Sequence, residues 1–450
     1  MSRSATKTEA IVRDVRGRIA SRTLSPGQRL ASVRACARTF GVAAATVVEA
    51  YDRLAAEGLI EARPGSGFYV SNVAPPAVGL GSLVSPKDRA IDPFWVSRAS
   101  LDAPIEALKP GCGWLPTSWM PHEPLRRALR DAARAETSVL TDYGSTRGAT
   151  ELRRQLAQRF AGERLPVEPD QILLTGSGTQ AVDLVCRYLL RPGDVVLLDD
   201  PGYFNFQALL RAHHVEAIGA PWTTSGPDLN AFEAALRDRR PRLYITNSAL
   251  QNPTGVTLSL PSAHRVLSLC DQYGVIVVED DILADLEPTP SPRLATLDGL
   301  DRVIRIGSFS KTLSASIRCG YIAARPDTIE GLTDLQVATS FGAPAPLATA
   351  VVGKVLASGA YRRHVVDLRD RLNISRQTTT DRLTSLGVSP WVIPRGGFHL
   401  WCRLPDGVDS ADLARFCMER GVVLAPGNVF SVSGSAADFM RINTAQCSNP

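Results

Sequence analysis

The segment VIRIGSFSKTLSASIR, residues 303–318, carries the strongest chemical signal in the chain. Val303–Ile306 reads as a short buried strand. Lys311 follows it, close behind the hydroxyls of Ser308 and Ser310, and Arg318 stands seven residues further on. A lysine placed among small hydroxyl residues at a strand end suits capture of an aldehyde cofactor as a Schiff base. The hydroxyls and Arg318 would then grip a phosphate. Taken alone the signal is weak, because a lone lysine is usually a solvated charge. Its company decides.

Thr175-Gly176-Ser177-Gly178-Thr179-Gln180 follows one strand-like run and opens a helix, offering backbone N–H groups and a helix dipole to an anion. An ordinary glycine-rich turn reads the same way. Pro201-Gly202-Tyr203 puts an aromatic ring just past the strand at 195–198, where a plain core tyrosine is the alternative. Asn252-Pro253-Thr254-Gly255 offers an amide beside a tight turn, and Glu279-Asp280 ends an apolar strand. A carboxylate there can pair with a pyridinium nitrogen. The strand-like runs Gln171–Thr175, Val195–Leu198, Leu243–Thr246, Val275–Val278 and Val303–Ile306 alternate with amphipathic helices. That alternation predicts an α/β fold with a mostly parallel sheet covered on both faces. Each candidate residue falls at a strand's C-terminal end, where open α/β sheets bind ligands.

The N-terminal region has a different texture. Residues 9–22 fit a helix with Ile11, Val15 and Ile19 on one face. Ser32 reads as the N-cap of a helix Val33–Phe40, Gly41 ends it, and Ala44–Glu57 forms the next. Two helices joined by a short glycine-containing turn have helix-turn-helix geometry. Residues 59–70 then read as a hairpin with the glycine-rich tip Pro64-Gly65-Ser66-Gly67, a wing. Residues 1–72 hold eleven Lys/Arg against six Asp/Glu, while the remainder holds 39 of each sign, so the net charge of +5 sits wholly in this segment. Such a surplus suits phosphate contact, although a solvated basic face gives the same count. Residues 72–90, rich in Pro, Gly, Ser and Ala, read as a linker that spans on the order of 60 Å when extended. The division expected is therefore 1–71, a DNA-binding domain; 72–90, a linker; and 91–450, the large domain.

The eight cysteines form no CxxC pair and no metal-like cluster, and most lie in apolar stretches, so free thiols in a reducing compartment are expected. No apolar run reaches membrane-spanning length and no signal core opens the chain. A cytoplasmic protein without a metal site follows as the expectation.

Residues 24–34, 46–58 and 63–70 resemble, in order, the L-x-P-G-x-x-L-P-S-x-R, T-V-x-x-A-Y-x-x-L-x-x-x-G and R-x-G-x-G-x-x-V elements of the GntR-type winged helix-turn-helix domain. The resemblance implies that Arg34 and Thr46 contact double-stranded promoter DNA. It also implies that Arg63 with Gly65, Ser66 and Gly67 enters the minor groove. Two departures stand out. Ala31 replaces the usual proline, and Ala43-Ala44-Ala45 occupies the place where relatives usually carry Ser and Arg. Base-specific contact is thereby expected to shift onto Arg34 and the wing.

From about residue 91 onward the chain resembles the fold-type-I aminotransferases, and the fusion resembles the MocR subgroup of GntR regulators. This implies a smaller C-terminal subdomain and pyridoxal 5'-phosphate as cofactor, with Lys311 as the internal aldimine lysine. Asp280 would hold the pyridine nitrogen protonated, Asn252 the ring hydroxyl, and Tyr203 would stack on the ring. Gly178, Thr179, Gln180, Ser308, Ser310 and Arg318 would bind the phosphate. Tyr143 would reach the phosphate of a neighbouring subunit, which implies a homodimer formed through the large domain. Arg441 would clamp the carboxylate of a substrate or effector. Ile282 and Leu283 stand where relatives often carry a tyrosine, which weakens control of the aldimine's proton more than cofactor binding. The whole pattern implies a regulator rather than an enzyme, sensing the B6 cofactor or an amino compound through aldimine formation, with residual transamination compatible. The alternatives are an aminotransferase with a vestigial DNA-binding domain, and a scaffold binding neither ligand nor DNA.

Overall fold

The computed structural model describes residues 7–20, 24, 27–71 and 91–447. It divides into two compact units, Met1–Ser85 and Pro86–Pro450. The segment 72–90, expected as a linker, lies outside the described residues.

In the first unit, helices α1 (Lys7–Ala20), α2 (Val33–Phe40) and α3 (Ala44–Ala56) precede the hairpin β1 (Ile60–Arg63) and β2 (Gly67–Val70). Ile11, Val12 and Val15 of α1 recur at helical spacing and pack on Val47, Ala50, Tyr51 and Leu54 of α3. Ser32 caps α2 by accepting from the Ala35 N–H, and Gly41 ends it in the left-handed region at φ 61°. The Tyr51 hydroxyl donates to the Ala31 carbonyl at 2.9 Å, tying α3 to the turn before α2. The β1–β2 register pairs Ile60 with Val70 and Arg63 with Gly67, and Gly65 and Gly67 take φ of 71° and 104° at the tip. Those angles favour residues without a Cβ. The expected winged helix-turn-helix is present.

The second unit is built on an eight-stranded sheet of β3 (Ile172–Thr175), β4 (Val195–Asp200), β5 (Glu216–Thr223), β6 (Gly226–Pro227), β7 (Leu243–Thr246), β8 (Ile276–Asp280), β9 (Val303–Ser308) and β10 (Gly320–Ala323). Its order is β3-β10-β9-β8-β7-β4-β5-β6. The central pairs β9/β8, β8/β7, β7/β4 and β4/β5 are parallel. The sequence reading named five of these strands and did not name β10, which runs antiparallel to β3 and β9 and closes the space between them. Alternate residues supply two separate cores. Leu197, Tyr244, Val277 and Val303 face one side, while Leu198, Ile245, Val278 and Ile304 face the other.

The smaller C-terminal subdomain contains the helix Ala360–Ser385 and a sheet of β11 (Ser389–Pro390), β12 (His399–Arg403), β13 (Ala425–Pro426) and β14 (Phe439–Asn443), ordered β11-β12-β14-β13. The helix Pro93–Asp102 joins this subdomain by packing Trp95, Val96 and Ala99 into the core formed by Trp401, Phe430 and Met440.

Ala43, the residue that precedes α3 at its N-cap, supplies no side-chain cap, so the first-turn N–H groups of the second helix of the helix-turn-helix lack a side-chain acceptor at that position. Ala43→Ser should stabilise the small domain of the full chain by about 0.5–2 kcal/mol and slow hydrogen exchange at the first amides of α3. Unchanged protection there would show that the helix start is not limited by its missing cap.

Candidate functional site

Strand β8 ends in Glu279 and Asp280, and Asp281 follows directly; all three carboxylates are buried. Strand alternation separates them. Glu279 accepts from the N–H groups of Leu294 and Ala295 at 2.8 and 2.9 Å and also from Ser248. Asp281 accepts from Arg293 Nε and Arg305 Nη2, each at 2.7 Å. Asp280 points the other way, into a cavity at the C-terminal ends of the parallel strands. Its carboxylate accepts from the Ile282 N–H at 3.2 Å, and the Asn247 amide, which donates to the Asp280 backbone carbonyl at 2.8 Å, stands beside it. Burial pushes its carboxyl up to about 7, against the lowering effect of the Ile282 N–H, the Asn247 amide and Lys311.

Lys311 reaches the same cavity from the turn after β9, and its Nζ donates to the Gly113 carbonyl at 2.6 Å. Burial, then the nearby Arg441 charge, push the ammonium down to about 8. Near neutral pH an appreciable fraction is therefore the free amine, the nucleophilic form.

One end of the cavity is a polar cradle. Ser177, Gly178 and Thr179 open the helix Gly178–Leu189, and Ser308, Ser310 and Arg318 face them. Ser308 Oγ accepts from the Ser310 N–H at 3.2 Å, which turns both hydroxyls toward one place. Arg318 makes no ion pair among the described residues. A Cβ on Gly178 would lie 3.2 Å from Ile282 Cγ2, so a side chain there would narrow the cradle. Gln180 is positioned differently from the expectation. Its side chain spans the Gly176 N–H and Ser340 Oγ, and it does not line the cavity. Ser177, one turn earlier, does. A helix presents its first N–H groups and its N-cap to an anion, not its third side chain.

The other end opens into a cleft of about 300 Å³ shared by Tyr203, Asn252, Lys311 and Arg441. Arg441, on β14, is 1 % exposed; Nη1 donates to Asn252 Oδ1 at 3.0 Å and Nη2 to the Gly111 carbonyl at 2.6 Å. A Cβ on Gly111 would sit 2.3 Å from the backbone of Leu424, so only glycine lets that carbonyl approach. Burial pushes the Arg441 guanidinium down to about 10. Tyr203 stands beside the cavity with its ring edge-on to Phe206 at 5.2 Å. Asn247 and His399 also line the cleft, and the sequence reading named neither. Ile282 and Leu283 line it in place of a hydroxyl. Tyr143 is 74 % exposed, packed against the similarly exposed Phe341, and is not among the residues lining either cavity.

On the small unit, Arg34 lies exposed in the first turn of α2 with no side-chain partner among the described residues. Thr46 borders a shallow hollow with Lys7, Arg38 and Gly41. Arg63 is engaged within the wing: it donates to Glu61 Oε1 through Nε at 2.9 Å and lies 4.4 Å above the Tyr69 ring. The Ser66 hydroxyl is 2.6 Å from the Tyr69 hydroxyl. An exposed pair such as Arg63–Glu61 exchanges readily for a phosphate, because it contributes little on its own.

Among the described residues no cluster of His, Cys, Asp and Glu is arranged to hold a metal, and no helix is long and apolar enough to cross a membrane.

Residues 114–450 match the family model "Aminotransferase class I and II", and residues 7–70 match "Bacterial regulatory proteins, gntR family". An uncharacterized HTH-type transcriptional regulator of Escherichia coli (strain K12), YdcR, is 30 % identical over 98 % of this chain and 95 % of its own length. The 2-aminoadipate transaminase of Thermus thermophilus is 30 % identical over 72 % of this chain and 82 % of its own. The crystal structure of the α-aminoadipate aminotransferase LysN from Thermus thermophilus, complexed with N-(5'-phosphopyridoxyl)-L-leucine, superposes with a TM-score of 0.71 at 28 % identity. The likeness covers 78 % of this chain and 89 % of that one. The chain belongs to the class I and II aminotransferase family, in the architecture that joins such a domain to an N-terminal gntR-family helix-turn-helix, as MocR-like regulators do.

Proposed function

We propose that the protein is a DNA-binding transcription regulator whose large domain binds pyridoxal 5'-phosphate and senses that cofactor or an amino compound that reacts with it. The observation that carries this reading is that Asp280 on one side, and Asn252 and Arg441 on the other, line two adjoining cavities that share Lys311 and Tyr203, in a chain that also bears a winged helix-turn-helix. The cavity residues suit the cofactor. Asp280 is a buried carboxylate without an ion pair among the described residues, and a cation placed against it would restore its ionised form. The cradle of Ser177, Gly178, Thr179, Ser308, Ser310 and Arg318 combines a helix N-terminus, hydroxyls and a guanidinium without an ion pair among the described residues, the donor set for a phosphate.

In this reading Lys311 would supply the amine that holds the cofactor through its aldehyde, Asp280 would serve the ring nitrogen, Asn252 the ring hydroxyl, and Tyr203 the ring itself. Gly178 and Thr179 serve through backbone N–H groups, and Gln180 through its support of the turn at Gly176. Bound there, the cofactor supplies an electrophilic carbon and an electron sink for an amine. Arg441 provides a fixed positive charge for a carboxylate. The C-terminal subdomain that carries Arg441 is then the element an effector would displace. Ile282 and Leu283 add no second phenol to Tyr203 among the described residues that line the cleft, which favours sensing over turnover. We take residual transamination to be secondary.

The exposed Tyr143, matched by the family to a residue serving a neighbouring subunit, supports a homodimer through the large domain; sedimentation of the full chain at the dimer mass tests this. Arg34, Thr46 and the wing residues Arg63, Gly65, Ser66 and Gly67 form the DNA-facing set. A cytoplasmic location follows from that DNA-binding role.

Lys311→Ala should lose the yellow colour and the borohydride-fixed phosphopyridoxyl group while both units keep their unfolding temperatures. A fixed adduct mapped by peptide mass to another lysine would contradict the assignment. Arg34→Ala should cost roughly 1–3 kcal/mol of affinity at a footprinted promoter site, because it removes a forked cation at the start of α2. Equal affinity of variant and wild type would show that α2 does not contact DNA as proposed.

A further inference from the structure

Strand β12 pairs with β14 so that His399 opposes Asn443 and Trp401 opposes Arg441. Side chains alternate along each strand, so His399, Trp401, Arg441 and Asn443 share one face. His399 is 4 % exposed and lines the cleft that also holds Arg441, Lys311 and Asn252. Among the described residues neither of its ring nitrogens has a partner, whereas Asn443, opposite it on this face, is satisfied by the carbonyls of Cys112 and Trp114 at 2.9 and 2.7 Å. Buried polar side chains are rarely left unpaired, and an unpaired one that faces a ligand cleft points to a ligand. Arg441 has the same character in part. One N–H of each Nη is committed to protein oxygens, and Nε has no partner among the described residues.

The local charges define the missing partner. Burial, and then the nearby cations Arg441 and Lys311, hold the His399 imidazole neutral. A neutral imidazole keeps one ring N–H to donate. Asp280 is the acidic group on the Lys311 side of the connected cavity. A cleft wall with a neutral donor beside a buried guanidinium is matched to an anionic acceptor with two oxygens.

We propose that His399 is a ligand-binding residue that donates its ring N–H to the α-carboxylate of an amino acid held against Arg441, each residue serving one side of the carboxylate. His399 then sets the preference for amino acids over amines of the same skeleton. The inference rests on the reading of this cavity as an amino-effector site and names the effector class as α-amino acids.

The test uses the cofactor-loaded full chain and three probes: L-leucine, 3-methylbutylamine, which lacks the carboxylate, and 4-methylpentanoate, which lacks the amine. Binding of the first two is read from the visible spectrum of the cofactor, and binding of the acid by calorimetry. His399→Phe should weaken L-leucine and 4-methylpentanoate about ten-fold or more, with 3-methylbutylamine changed by less than about two-fold, since one hydrogen bond to a charged group is lost. His399→Asn, which keeps an N–H donor, should recover part of the loss. Should His399→Phe fail to load cofactor, the same selectivity is read from His399→Asn against His399→Leu. Equal weakening of leucine and the amine would reduce His399 to a structural residue and overturn the proposal, as would an unchanged affinity for leucine and the acid. Wild type that binds the acid in a His399-dependent way, yet gives no spectral change with leucine or the amine, would sink the effector reading and leave the clamp standing. Wild type that binds none of the three would sink both.

Discussion

The large domain depends on how one sheet accommodates three adjacent carboxylates. Burying even one ion without a partner is expensive, and the end of β8 with the residue that follows it buries three carboxylates. The alternation of the strand resolves the problem by sending Glu279 and Asp281 to one side, where Arg293, Arg305 and the N–H groups of Leu294 and Ala295 neutralise and bind them. Asp280 is sent alone to the other. The support beneath it fixes its position, and the lack of an ion pair among the described residues leaves it demanding a cation. Removing that lower network would unseat Asp280 even though none of its members lines the cavity.

The charges across the cavity follow the same logic. Lys311 and Arg441 are both pushed down by burial, and the Arg441 charge further opposes the ionised form of Lys311 near a single carboxylate. Such a site attracts anions and favours carbonyl chemistry at the amine, and its phosphate cradle supplies a place for the anion to sit. The exposed polar surface of the small unit works on a different principle. Arg34 and the wing arginine meet solvent, where single ion pairs are weak and exchangeable, and where several cations acting together hold a phosphate backbone.

Much of this was legible in the sequence because short buried strands and their C-terminal turns are local features. Val303 to Lys311, the helix start at Gly178, and the boundaries of α2 all depend on neighbours a few residues away. Strand β10 was not legible, since Gly320–Ala323 carries no sign that it inserts antiparallel between β3 and β9. The Asp281–Arg305 pair depends on β8 and β9 being adjacent, which periodicity alone does not reveal. His399 was missed because a histidine in an apolar strand reads as core; only its face, shared with Arg441 across β14, distinguishes it. Gln180 was over-read for a local reason, since its side chain serves the turn that precedes it. The Arg63–Glu61 pair was within reach, because a period of two places both on one face of β1.

The central claim is that occupancy of the large-domain cavity is communicated to DNA binding. A promoter duplex found by footprinting, titrated with full-length protein in the presence and absence of a panel of L-amino acids, measures this directly through affinity and DNA bend angle. The account predicts that at least one amino acid changes the affinity or the bend for wild type, and that Lys311→Ala abolishes the change while still binding the duplex. An identical DNA response in wild type and Lys311→Ala, with or without amino acid, would contradict it.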